Sequence, residues 1–223
     1  MRIATLIFHY QREDLTRSVL QQLRDQPRNN IIVVDDGSDI PFEEPGIEIL
    51  RWPSNVGYLK SVNKAMQHPR LKAYKAAFML NNDVKGLSFD MLNKLAVTLK
   101  SSPKLAAVSP AVTPTPHQSM KQSFGAPRYE RHIDWVAPLV SIEAWKEVGG
   151  FDENLKGYGV DIQFCFAARE RGWSFMVVPD LVIEHEMGGT VRSIPDAKGH
   201  DDLEFMNTYL CQKYKVSHWS ELI

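Results

Sequence analysis

Two strand-like apolar runs in this chain each stop on side-chain oxygens, and that pairing constrains the fold more than any other feature. Ile31 to Val34 ends in Asp35-Asp36-Gly37-Ser38-Asp39, and Tyr74 to Leu80 ends in Asn81-Asn82-Asp83 before Val84 resumes the apolar pattern. A continuous apolar run reads as a strand buried on both faces, the habit of a parallel sheet covered by helices. In such sheets ligands gather where strands end at their carboxyl edge. Asp-Gly and Asn-Asp pairs also form ordinary turns, so each end taken alone is a turn or a binding edge; two such ends together favour the edge. Oxygen donors of Asp and Asn suit a hard divalent cation such as Mg²⁺ or Mn²⁺, which completes its shell with substrate phosphates.

Other strands are expected at Ile3 to Phe8, Ile47 to Leu50, Leu105 to Ser109, Ser174 to Val178 and Leu181 to Ile183. Helical spacing appears in Leu15, Val19, Leu20 and Leu23, with Asp14 as cap, and in Leu59, Val62 and Met66. Ser88 is expected to cap a helix with the stripe Phe89, Leu92, Leu95 and Leu99. Ile142, Trp145 and Val148 share a face stopped by Gly149-Gly150, and a longer helix runs from Asp161 to Gly172. Leu203, Met206, Leu210 and Tyr214 mark the last helix. Residues 110–127, with four prolines, read as a loop over a site or a lid. The strand and helix alternation predicts one α/β domain with a mainly parallel central sheet flanked by helices.

Several function classes are excluded. The chain lacks the G-x-x-x-x-G-K-[ST] phosphate loop, and His9-Tyr10-Gln11-Arg12 follows the first strand where a dinucleotide-binding protein carries G-x-G-x-x-G. Cys165 and Cys211 stand apart, indicating neither a zinc site nor a disulfide framework. The 26 basic and 27 acidic residues leave a net charge of -1, which gives no global pull toward nucleic acid or anionic lipid. No apolar run approaches the ~20 residues that span a bilayer, and no signal peptide pattern opens the chain, so a soluble cytoplasmic protein is expected.

Four segments carry a family resemblance. Val33-Val34-Asp35-Asp36-Gly37-Ser38, Asn55-Val56-Gly57-Tyr58 with Ser61, Asn63 and Ala65, Leu80-Asn81-Asn82-Asp83-Val84, and Gly149-Gly150-Phe151-Asp152-Glu153 resemble, in order and spacing, family-two glycosyltransferases of the GT-A fold. The resemblance runs from residue 3 to about residue 190. It implies a single GT-A-like (Rossmann-like) domain with a nucleotide-binding half over 1–110, an acceptor and catalytic half over 111–190, and a tail and helix over 191–223.

By the same resemblance Asp35 faces the nucleoside of a nucleotide sugar with Asp36 nearby, and Tyr10 and Arg12 border that pocket. Asn55, Gly57 and Asn63 shape the floor below the diphosphate, with a loop and helix cap as the other reading of these residues, equally weighted for Asn63. Asn81-Asn82-Asp83 stands where the family carries Asp-x-Asp, making Asp83 a metal ligand and Asn81 a ribose contact with one negative charge fewer. His185, in Ile183-Glu184-His185-Glu186-Met187-Gly188-Gly189, resembles a metal-binding segment of rhamnosyltransferase-like members and becomes the second metal ligand; a structural histidine is the other reading. His9, His117 and His200 gain no such support.

Tyr158-Gly159-Val160-Asp161 aligns with the family's Glu-Asp pair, with Val160 the departure and Asp161 the retained general base or, alternatively, a helix cap. Trp135 is expected against sugar and Trp145 in the core, while Arg192 could reach a phosphate. The implied activity is inverting transfer of a sugar, as a hexosyl or deoxyhexosyl group, from a UDP- or dTDP-linked donor to an acceptor hydroxyl on a glycan, with Mn²⁺ or Mg²⁺ as cofactor. A nucleic acid acceptor has no support from charge. A sugar nucleotidyltransferase lacks its early glycine-rich basic signature here, and a catalytically silent nucleotide-sugar-binding domain is the other alternative.

Overall fold

The computed structural model describes residues 1–88, 90–186 and 203–223. The first half alternates β1 (Ile3–His9), α1 (Glu13–Gln22), β2 (Ile31–Asp35), β3 (Glu48–Arg51), α2 (Tyr58–Gln67) and β4 (Ala76–Asn81). These four strands pair in parallel in the order β3-β2-β1-β4. Every residue of β2 is buried, as its unbroken apolar run requires of an interior strand. The second half contains β5 (Val84–Lys85), α3 (Met91–Lys100), β6 (Leu105–Thr113), β7 (Arg128–Glu130), β8 (Leu139–Ser141), α4 (Ile142–Val148), α5 (Val160–Arg169), β9 (Ser174–His185) and α6 (Leu203–Tyr214). Among the described residues all strands join one nine-stranded sheet, β3-β2-β1-β4-β8-β6-β9-β5, with β7 on β9. The parallel pairings carry the longer ladders; β8, β5 and β7 run antiparallel to their neighbours.

The expected α/β architecture is present, with local differences that have physical causes. β6 passes through Pro110 to Thr113, beyond its expected end. Pairing with β8 involves only Ala107 and Val108, so no partner on that side needs an N–H from Pro110. The expected strands either side of Pro179 are one strand, β9. Val178 lies opposite Pro110 and Val182 opposite Ala111, so residues 179–181 form a bulge that accommodates the proline.

Residues 114–127 are anchored by fully buried Met120 and by Arg128, which donates to the carbonyls of Ser119 (2.8 Å) and Lys121 (3.0 Å). The lid expectation for that segment gives way to a pinned strap. Neither expected cap is made by the side chain named for it. Asp14 lies inside α1 and holds Arg12, and α3 begins after Asp90 with Ser88 contributing only its carbonyl. Phe89 lies outside the described residues. The short strands β5, β7 and β8 were too brief for periodicity to find.

The Gly149-Gly150-Phe151 turn is clasped to α2 by Asn63. Its amide donates to Phe151 O and Glu153 Oε1, both at 2.9 Å, and accepts from Phe151 N–H at 2.9 Å. Gly150 has φ +83°, and a Cβ there would lie 2.6 Å from Asn63 Oδ1, so the clasp demands glycine. Beside it Trp135, Trp145, Phe151 and Phe164 form one aromatic cluster at edge-to-face and stacked distances of 4.8–6.2 Å. Trp145 is core, as expected. Trp135 is core as well, 5% exposed, with its indole N–H on Met79 Sδ at 3.2 Å. Its ring presents no face to a sugar, which corrects the expectation.

Helix α6 docks on its own chain. Met206 and Leu210 are buried, and Tyr209 Oη (2.6 Å) and Lys213 Nζ both donate to Asp152 Oδ2. Burial pushes the Asp152 carboxyl up, but Lys213, Tyr209 and Asn154 overcome it and bring it down to about 2. The folded pKa lies below the unfolded value of 3.8, so the stabilisation is complete above the unfolded pKa and is lost as pH falls through about 2. Asp152→Asn is therefore expected to lower urea stability at pH 7 and to converge on the wild type between pH 4 and about 2; a pH-independent difference would contradict the clamp.

Candidate active site

Parallel register sets the site. His9 lies opposite Asp35 and Phe8 opposite both Val34 and Asn81, so β2, β1 and β4 deliver their acids and amides at one level. Beyond β1 the chain turns through Gln11 at φ 59°. Gln11 N–H donates to Ser38 Oγ (2.9 Å) and its amide oxygen accepts from Asp39 N–H (3.3 Å), joining the loops after β1 and β2. Tyr10 is half-buried there. Arg12 pairs with Asp14 at 2.8 Å and lies within electrostatic reach of Glu186 and Asp83.

The two acids after β2 are not open to a nucleoside as expected. Asp35 is fully buried and accepts from the N–H of Ser38 (2.9 Å) and Phe42 (3.2 Å) and from Arg51. Burial pushes it up, and these donors bring it below the ordinary carboxylate range. Asp36 accepts from the N–H of Val56 (2.9 Å) and Gly57 (3.0 Å), and burial holds it up at about 6 despite them. Asn55 also caps Gly57 N–H, at 2.8 Å. Gly37 permits this closure: at φ +74° a Cβ would come within 2.3 Å of the Ser54 carbonyl carbon. Asp36, Asn55 and Gly57 are thus drawn together, with Asp35 and Asp36 acting as loop frames whose carboxylates are already in use.

The β4 end differs. Asn82 is buried with its amide nitrogen 3.4 Å from Thr16 Oγ1. Among the described residues Asn81 Oδ1 and Asp83 Oδ1 are buried oxygens without a hydrogen-bond partner. β5 pairs with β9 so that Val84 faces His185, which places His185 Nε2 3.2 Å from Asp83 Oδ1. That contact lacks hydrogen-bond alignment. A buried carboxylate oxygen without a donor is costly; beside an imidazole nitrogen it is a donor set suited to a divalent cation. Asp83 and His185, which the resemblance implies as metal ligands, thus lie side by side. Met187, Gly188, Gly189, Arg192 and His200 lie outside the described residues.

Tyr58 connects this edge to Asp161. Its hydroxyl is 3.4 Å from Trp135 O, and burial first, then the charges of Asp161 and Asp83, raise its pKa. Asp161 sits in the first turn of α5, where Oδ1 accepts Ile162 N–H at 2.8 Å and Oδ2 lies 3.4 Å from His132 Nε2. The residue capping α5 is Gly159, so the cap role for Asp161 is not what the structure shows. The sequence reading missed Tyr58 and His132; an aromatic in the Asn55 motif and a buried histidine three residues before Trp135 were the signals available. Asn63 directs its amide at Phe151 and Glu153. A cavity of about 370 Å³ lined by Asn93, Val97, Pro127 and Val178 lies away from the strand ends.

No family model matches this sequence. No curated protein matches it either. Among solved structures, the chain superposes on a mannosyltransferase, PcManGT from Pyrobaculum calidifontis in complex with GDP-Man and Mn²⁺, with TM-score 0.63 and 16% identity, over 85% of this chain and 58% of that one. GalNAc-T7 with UDP, GalNAc and Mn²⁺ gives 0.63 and 13%, over 82% and 42%. S. aureus TarS 1–349 gives 0.64 and 16%, over 97% and 73%; TarS has also been solved with UDP-GlcNAc. At these identities the likeness carries the fold: this chain has the GT-A glycosyltransferase fold. It spans little more than half the length of the mannosyltransferase.

Asn63→Ala tests the structural role found for that residue. Leaving Phe151 N–H and O unpaired in a buried site is expected to lower urea stability by about 2–3 kcal/mol, with the m-value unchanged. A wild-type midpoint would return Asn63 to the ligand floor.

Proposed function

We propose that this chain is a metal-dependent inverting glycosyltransferase that moves one sugar from a nucleoside diphosphate sugar to an acceptor hydroxyl. The observation that carries the reading is the unpartnered buried oxygen pair at the end of β4, facing His185 at one side and Asp161 across Tyr58 at the other. Residues 1–110 supply the donor half, 111–190 the acceptor and catalytic half, and 191–223 the tail. The rhamnosyltransferase-like subgroup and a UDP- or dTDP-linked hexose or deoxyhexose are the finer forms of the proposal, with a glycan as acceptor.

Asp161 takes the acceptor hydroxyl's proton while its oxygen bonds to the anomeric carbon and the bond to the diphosphate oxygen breaks, its electron pair leaving with the diphosphate. Asp161 is suited to this because its pKa is held below the ordinary range, leaving it ionised. Asp83 and His185 would hold Mn²⁺ or Mg²⁺, whose charge stabilises the departing diphosphate. Asn81 Oδ1 accepts from a ribose hydroxyl, and Arg12 and Tyr10 border the phosphates and nucleoside. The loops framed by Asp35, Asp36, Asn55 and Gly57 close the donor pocket through their backbone. Among the described residues no helix is long and apolar enough to cross a membrane.

A thermal-shift series of nucleotide sugars with and without Mn²⁺ tests the reading. At about one hundred times Kd, the cognate donor with Mn²⁺ is expected to raise Tm by about 5–10 °C. Asp83→Ala loses that gain while its metal-free Tm stays equal or rises, because an unpaired buried carboxylate is gone. Asp161→Asn keeps the gain and loses about 10²-fold or more in transfer. If no nucleotide sugar moves the melt, the proposal fails; if donor binds but wild type transfers and hydrolyses nothing, the chain is a binding domain.

A further inference from the structure

A row of titratable side chains lies behind Asp161. His132, on the strap between β7 and β8, is 3% exposed. Its Nε2 lies 3.4 Å from Asp161 Oδ2 and its Nδ1 3.8 Å from Asp134 Oδ1. Asp134 in turn accepts from the Thr115 hydroxyl at 3.1 Å and pairs with His117 Nδ1. The two imidazoles meet edge to face at 5.0 Å. The order is His117, Asp134, His132, Asp161, drawn from the 114–127 strap, the segment before β8 and the start of α5.

Among the described residues His132 Nε2 is buried and completes no hydrogen bond, although Asp161 Oδ2 lies 3.4 Å from it. A bare lone pair on that nitrogen would repel the facing carboxylate oxygen, so the contact is favourable only with a proton on Nε2. With that proton donated to Oδ2 and Ile162 N–H on Oδ1 at 2.8 Å, both oxygens of Asp161 are oriented. The metal-ligand pair Asp83 and His185 takes no part in this row.

We propose that His132 is a positioning residue for Asp161, holding Oδ2 through its Nε2–H so that the carboxylate stays ionised and aimed at the acceptor hydroxyl, with Asp134 and His117 bracing the imidazole from behind. The acceptor step rests on the glycosyltransferase reading above; the coupling of His132 to Asp161 does not. Among the described residues His132 contacts Asp161, and His117, Tyr58 from α2 and Cys165 one turn along α5 lie within its electrostatic reach. Burial raises Tyr58 and Cys165, so both stay neutral. Burial also pushes Asp161 up, and His132, Ile162 N–H and His117 together overcome it. Asp161 must be ionised to act, so activity fails as pH drops through its pKa. Removing His132 moves that failure to higher pH.

The test follows the Asp161 carboxyl by ¹³C NMR titration, beside kcat against pH, in wild type, His132→Leu and His132→Gln, with folding checked by circular dichroism. His132→Leu is expected to move both the Asp161 midpoint and the acidic limb of kcat to higher pH. It should lower kcat about a hundredfold and leave donor KM within about twofold. Gln, whose amide reaches where Nε2 stood, is expected to restore much of each. A folded His132→Leu with an unmoved midpoint overturns the proposal. So does stoichiometric Mn²⁺ or Zn²⁺ retained by Asp83→Ala and lost in His132→Leu, which would make His117, His132 and Asp134 a cation site, their ligand atoms lying within 4.8 Å of one another. If the midpoint moves but wild type neither binds nor transfers a nucleotide sugar, the coupling stands and the transferase reading falls.

Discussion

The structure depends on the parallel register of β1 with β2 and β4. Because Phe8 lies level with both Val34 and Asn81, three loops leave the sheet at one height and share one edge. A one-residue slip in either ladder would turn the buried apolar set of β1 toward the opposite face. The core therefore enforces the geometry of the edge: fully buried Leu6, Ile7, Ile32, Val33 and Leu80 fix where Asp36 and Asp83 emerge. Each such side chain contributes about 1.5–3 kcal/mol on burial, against about 0.5–1.5 kcal/mol for a single hydrogen bond in the loops.

At that edge polar groups divide into two kinds. Asp35, Asp36, Asn55 and Asn63 have their oxygens occupied by backbone N–H groups, and they stiffen turns. Among the described residues Asn81, Asp83, His132 and, elsewhere, Trp173 carry buried atoms without a completed partner. Native interiors leave few such atoms, and under the proposed function those near Tyr58 are where stability is given up for binding and proton transfer.

The sequence disclosed the architecture where signals were long and periodic: β1, β2, β4 and the helices with an apolar stripe. Strands of two or three residues, β5 and β7 among them, exist only because a neighbour lends them hydrogen bonds, and no local pattern announces that. Motif order located the strand ends and paired Asp83 with His185 from opposite halves of the chain. It gives no access to which oxygens are already taken: Asp35, expected at the nucleoside, and Asn63, open between floor and cap, both have theirs on backbone N–H groups. Trp135 was misassigned for the same reason, since an indole packed in a cluster and one lining a cleft look alike as letters. His132 was illegible because its meaning comes from Asp161, reached only through tertiary folding.

The clamp between α6 and Asp152 has a consequence for the order of events during synthesis. The turn that leads toward Asp161 is braced by Tyr209 and Lys213, which are 57 and 61 residues later than Asp152 in the chain. A ribosome finishes the first half of the sheet, with its local parallel crossovers, well before those braces exist. The turn at Asp152 thus lacks these two braces on the nascent protein and gains them only when α6 arrives.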